Sequence, residues 1–263
     1  MRWYNEDLSS KSPSPGAAPG KLVLMELDEV VATAKALVTD RFPEARAAWL
    51  AGSVVAGEAT PTSDLDITVL LPGPPAPFRE SLVHDGWPVE LFVHTRESVS
   101  RWIEKDLGRR RPTLARLISS GVVLLDADGA GVALAEECAM ILAAGPGPVS
   151  DADRDALRYA LTDLLDDLAD VTDPVTVAAL AYATWEQAIK LLLTLDGRWW
   201  GTGKWLVREL REYDATHGTS YALRLHAALV SVVERDPVLL TVVAEEILDA
   251  AGGRLWAGYR VEG

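Results

Sequence analysis

Two hydrophobic periodicities alternate through roughly the first 145 residues, and only one continues beyond them. From Glu26 to Phe42 the apolar residues Leu27, Val30, Val31, Ala34, Leu37 and Val38 recur at helical spacing, and Pro43 closes the segment. AAWLAG, 47–52, reads as a short buried strand that stops at Gly52. DLDITVLL, 64–71, alternates and is rich in β-branched residues, and the PGPP run at 72–75 ends it. WPVELFVH, 87–94, predicts another strand. Between these two, residues 72–86 read as a Pro-rich loop or irregular hairpin, long enough to suggest a functional role. Helical spacing returns over 96–107 and 112–120, GVVLLD at 121–126 predicts a fourth strand, and a helix follows over 131–143.

GPGPVS, 145–150, is a linker by composition. Past it the period stays helical, with helices predicted over 151–170, 174–196, 203–214, 219–234 and 237–251. These observations give an α+β chain: a small mixed-sheet domain over 21–147, then an all-α helical bundle domain over 148–263. Residues 1–20, rich in Ser, Pro and Gly, are expected to be a flexible tail.

Charge narrows the partners. The chain has 25 Lys+Arg against 39 Asp+Glu, a formal charge of −14. That excludes a DNA-binding role and weighs against tRNA, because nucleic-acid binding needs a basic face to displace counterions. It suits a cationic small molecule. A single cysteine, Cys138, rules out an intrachain disulfide and a Cys-rich zinc site. With no apolar run of membrane-spanning length and no apolar region in the first 20 residues, the expected location is the cytoplasm.

The chemistry concentrates in one segment. Gly52-Ser53 is followed after ten residues by Asp64-Leu65-Asp66. On a strand, Asp64 and Asp66 share a face, about 7 Å apart along the chain, while Leu65, Ile67, Val69 and Leu71 share the opposite one. Two such carboxylates repel each other, and Mg²⁺ relieves the repulsion. In VELFV the apolar Val89, Leu91 and Val93 leave Glu90 on the other face. If the two strands are neighbours, Glu90 joins the Asp pair, and three convergent carboxylates are what a two-metal phosphoryl or nucleotidyl transfer site requires. Gly52 would let backbone approach a phosphate, and the Ser53 hydroxyl could add a hydrogen bond. Other motifs fail: an EF-hand would need its bidentate Glu at position 75, which is Pro, and neither GxxxxGK[ST] nor GxSxG occurs.

GSVVAGEATPTSDLDITVLLP together with VELFV resembles the DNA polymerase β-like nucleotidyltransferase superfamily, and within it most closely the aminoglycoside nucleotidyltransferases of the streptomycin/spectinomycin type. The resemblance covers the acidic segment well and the helical half loosely. It implies an adenylyltransferase-like enzyme that uses ATP and two Mg²⁺ ions to move AMP onto a hydroxyl of a small, aminoglycoside-like acceptor. Asp64, Asp66 and Glu90 would be catalytic metal ligands, with Glu90 as general base. Gly52 and Ser53 would bind the phosphates, as would Lys204, which follows a Gly-rich turn in the helical half as a phosphate-contacting lysine of that family does. The acceptor would meet the acidic helix at 151–170 through Asp163 and Asp167, whose charges recur with Asp166 and Asp170 at i, i+3, i+4 spacing, and, more weakly, Trp185 and Glu186. Two alternatives remain open at this point. One is a protein-AMPylating or toxin–antitoxin-type minimal nucleotidyltransferase, and the other is a non-catalytic nucleotide-binding module of the same fold.

Overall fold

A computed structural model describes residues 27–233 and 236–260. The tail expected over 1–20 lies outside the described residues. In chain order the elements are α1 (Leu27–Arg41), β1 (Ala47–Ala51), β2 (Leu65–Leu70), β3 (Phe78–His84), β4 (Trp87–His94), α2 (Arg96–Gly108), α3 (Thr113–Ser119), β5 (Val122–Asp126), α4 (Ala130–Ala144), α5 (Asp151–Asp170), α6 (Pro174–Leu195), α7 (Lys204–His217), α8 (Tyr221–Val233) and α9 (Val238–Ala250). The architecture is α+β: a mixed five-stranded sheet with helices, followed by a helical region.

The chain divides into two compact units. One takes the residues up to Ser98 together with Leu117–Ala135; the other takes Val99–Arg116 and the residues from Glu136 on.

In the first unit the sheet order is β3-β4-β2-β1-β5. β2 and β4 run parallel, and the other pairings are antiparallel. Alternation sorts the side chains. Ala48, Leu50, Leu65, Ile67, Val69, Val89, Leu91 and Val93 form one apolar face, and α1 covers it with Val30, Ala34, Leu37 and Val38. Each large aliphatic side chain buried there contributes about 1.5–3 kcal/mol. The opposite face carries Trp49 on β1, Asp66 and Thr68 on β2, and Glu90, Phe92 and His94 on β4.

The interval 72–86 is more regular than a loop. It contains β3, a seven-residue strand joined to β4 by a tight turn. Asp85 and Gly86 both have positive φ, 49° and 86°, which is the two-residue turn that matches the twist of a hairpin.

The second unit is built around α6. Leu191, Leu192 and Leu193 are consecutive and all buried. Because successive helical residues point about 100° apart, this stretch of α6 is enclosed on every side, and the helix packs against α5, α7, α8 and α9. α5 faces this core with Leu161, Leu165 and Leu168. Its acidic face turns outward, with Asp166 and Asp167 exposed. Ser150 and Asp173 cap the N-termini of α5 and α6 by accepting the N–H groups of Asp153 and Thr176. No helix among the described residues is long and apolar enough to cross a membrane.

Candidate active site

The site is assembled by strand register. Asp66 on β2 lies directly beside Glu90 on β4 in the parallel pairing, and opposite Ala51 at the end of β1. Asp64 sits just before β2 begins. One carboxylate oxygen from each of Asp64, Asp66 and Glu90 lies within 4.8 Å of the other two. All three are partly accessible to solvent. Three hard oxygen ligands so disposed fit a divalent cation such as Mg²⁺, which binds through a few carboxylates and keeps its remaining positions for water and substrate.

The segment between β1 and β2 holds Asp64 and Asp66 in place through two devices. The first is Gly52, whose φ is +86°. A Cβ there would stand 2.2 Å from Oδ2 of Asp66, so the absence of a side chain leaves the space that this carboxylate occupies. The second is a knot of hydroxyls around Ser63, itself buried. Ser53 donates its hydroxyl to Oγ of Ser63 at 2.9 Å, and the Thr60 N–H donates to the same oxygen at 2.8 Å. The Ser63 N–H returns to the Thr60 carbonyl at 2.9 Å, and the Glu58 N–H donates to the Ser53 carbonyl at 2.9 Å. Ser53, expected at a phosphate, spans the base of this loop in the structure.

Glu90 has two neighbours from β3. Arg79 pairs with it as an ion pair, and the Ser81 hydroxyl donates to it at 3.5 Å. The Arg79 guanidinium also lies over the Phe92 ring, 4.9 Å from its centroid. Arg79 was not apparent from the sequence, because β3 was not read as a regular strand. The Asp-Gly pair at 85–86 is the signal that would have revealed it.

His94 ends β4 on the same face. Its Nδ1 lies 3.1 Å from the Ser98 hydroxyl. Burial lowers its pKa to about 4, so the ring is neutral near pH 7. The Thr95 and Ser98 side chains cap each other's backbone N–H groups and start α2.

The remaining candidates lie in the second unit. Lys204 is the first residue of α7 and is exposed; Gly203 before it has φ +54° and supplies no side-chain cap. Asp163 is half-buried and Asp167 exposed on α5. Asp166 pairs with Arg254. Trp185 stacks on Tyr182 with ring centroids 5.8 Å apart, and Glu186 pairs with Lys190 at 2.8 Å. This unit also contains a polar cavity of about 310 Å³ lined by Arg116, Arg198, Trp199, Glu209 and Glu212, among others. Glu209, 5% exposed, forms an ion pair with Arg116. Burial holds the Glu209 pKa above the ordinary value although Arg116 pulls it down. A larger cavity of about 670 Å³ is lined mostly by apolar side chains from α5, α6 and α8. Neither cavity is lined by any of the three clustered acids.

Comparison with known proteins bears on the first of these groups. Residues 33–112 match the family model of the nucleotidyltransferase domain. The matched interval contains Gly52, Ser53, Asp64, Asp66, Arg79 and Glu90, and ends before Lys204 and before α5 and α6. No curated protein matches the chain. Among solved structures, a nucleotidyltransferase-like protein from Exiguobacterium sibiricum is similar at 12% identity and a TM-score of 0.45, over 84% of this chain and 75% of that one. The family match assigns residues 33–112 to a nucleotidyltransferase domain, and this supports nucleotidyl transfer as the chemistry of that part of the chain.

Proposed function

We propose that this enzyme moves AMP from ATP onto a hydroxyl of a small cationic acceptor of the aminoglycoside type, with release of pyrophosphate and dependence on Mg²⁺. The observation that carries the reading is the convergence of Asp64, Asp66 and Glu90 within 4.8 Å, inside the interval that matches the nucleotidyltransferase domain. These three residues would hold two Mg²⁺ ions. Bound there, the ions supply charge neutralisation for the triphosphate and lower the pKa of the attacking hydroxyl.

The chain's own residues divide the remaining work. Asp64 and Asp66, fixed by the Ser63 knot and by the space at Gly52, set the position of the α-phosphate. Glu90 accepts the proton of the acceptor hydroxyl. The acceptor oxygen then attacks the α-phosphorus in line, and the α–β phosphoanhydride bond breaks as pyrophosphate leaves. Gly52 and Ser53 would meet the leaving phosphates through backbone N–H groups, a role that the family resemblance extends to Lys204. Asp163 and Asp167, with Trp185 and Glu186, attract and stack on the cationic sugar. The charge of −14 supports a cationic acceptor and opposes a nucleic-acid one. The reading places the enzyme in the cytoplasm.

The test is a panel of the four nucleoside triphosphates with Mg²⁺, with and without aminoglycosides, monitored for pyrophosphate. The expected result is release with ATP that depends on the acceptor. Binding of Mg·ATP without turnover on any aminoglycoside would overturn the acceptor class. Failure to bind any Mg·NTP would overturn the nucleotide reading as well.

A further inference from the structure

We infer that Arg79 is a built-in competitor for the divalent cation: it occupies Glu90 when no ion is bound and sets the metal affinity of the site. The inference rests on the reading of Asp64, Asp66 and Glu90 as a cation site. Three carboxylates that meet within 4.8 Å carry up to three negative charges, a repulsive arrangement without a counter-charge. The structure supplies one in the Arg79–Glu90 ion pair. The pairing follows from register. Arg79 lies opposite Phe92 and Ser81 opposite Glu90, so Arg79 is the diagonal neighbour of Glu90 on one face of the β3–β4 hairpin.

Two features separate this contact from an incidental surface pair. The guanidinium is held by the Phe92 ring as well as by the carboxylate, so its position is defined from two directions. And the carboxylate it holds is one of the three proposed ligands, with a side chain only 22% exposed. Arg79 itself is 62% exposed on an edge strand, so it can leave Glu90 without opening the core. A divalent ion that takes Glu90 must displace this cation and then bind beside its remaining charge. Both effects weaken metal binding, so removing Arg79 should strengthen it.

The test uses Mn²⁺ alone, with the free ion followed by electron paramagnetic resonance on the full chain, together with thermal unfolding in chelator. The variants are Arg79→Met, which keeps the apolar stem over Phe92, and Arg79→Lys, which keeps a charge. Arg79→Met should bind Mn²⁺ roughly three- to tenfold more tightly than the wild type, a range set by solvent screening of a partly exposed pair. It should unfold at a lower temperature without metal. Arg79→Lys should stay near the wild type in both. A residue with only a structural role would lower the unfolding temperature with no gain in affinity, and that result overturns the inference while leaving the metal site standing. Gain of binding in Arg79→Met from a wild type that shows none supports it. Absence of binding in both proteins overturns the inference and the metal site together.

Discussion

At the scale of single residues, Gly52 and Asp66 act as one unit. The backbone at Gly52 is left-handed, and its missing Cβ is the volume that the Asp66 carboxylate fills. Gly52→Ala should therefore cost about 1–3 kcal/mol in chemical denaturation. It should also push the carboxylate out of place and lower turnover by about a hundredfold, a typical penalty for a misplacement near 1 Å. The close packing of Gly52 against Asp66 is a tertiary contact that spacing along the chain does not reveal.

Glu209 is a second residue whose role only packing shows. It is buried within α7, and its pKa is raised by that burial. Arg116→Met should leave it unpaired and cost about 3 kcal/mol at neutral pH. A carboxyl whose folded pKa is raised binds more protons folded than unfolded, so stability falls as pH rises through that pKa. The variant should therefore regain stability as the pH is lowered from neutral into the acid range, measured by urea titration. Stability of Arg116→Met that is independent of pH across that interval would contradict this.

At the scale of elements, α8 and α9 are clamped by Glu246. It accepts the Tyr221 hydroxyl at 2.8 Å and pairs with Arg224. The Arg224 and Tyr221 hydrogen bonds bring its pKa down from 4.5 to about 2. A depressed carboxylate stabilises fully above its ordinary value and loses that contribution as pH falls towards 2. Because the pair is more than a third exposed, the contribution at neutral pH is below about 1 kcal/mol. Glu246→Gln should lose that much and should flatten the acid limb of the stability curve between pH 4.5 and 2, as read by denaturant midpoints.

The elements also show where sequence legibility ends. β1, β2 and β4 announce themselves, since each buries one face in a continuous apolar row. The helix over 151–170 has strong periodicity, and α5 spans those same residues. β3 is obscured because Arg79, Glu80 and Ser81 interrupt alternation on an edge strand whose two faces are both partly wet. With β3 unread, the Arg79–Glu90 pair had no way to appear. The triad itself was visible because a strand period and two apolar rows fix where its acids must point.

At the scale of the whole molecule, the matched nucleotidyltransferase interval and the carboxylate cluster fall in the same stretch of chain, while the acidic α5 lies outside it. The family match and the carboxylate cluster thus both point to nucleotidyl transfer in the first part of the chain, while the proposed acceptor rests on charge and on the family resemblance. The most direct measurement is Mg²⁺-dependent pyrophosphate release by the wild type and by Asp66→Asn, prepared side by side with matched circular dichroism. Transfer at this cluster predicts turnover in the wild type that falls to background in the variant. Turnover of Asp66→Asn at the wild-type rate would contradict it.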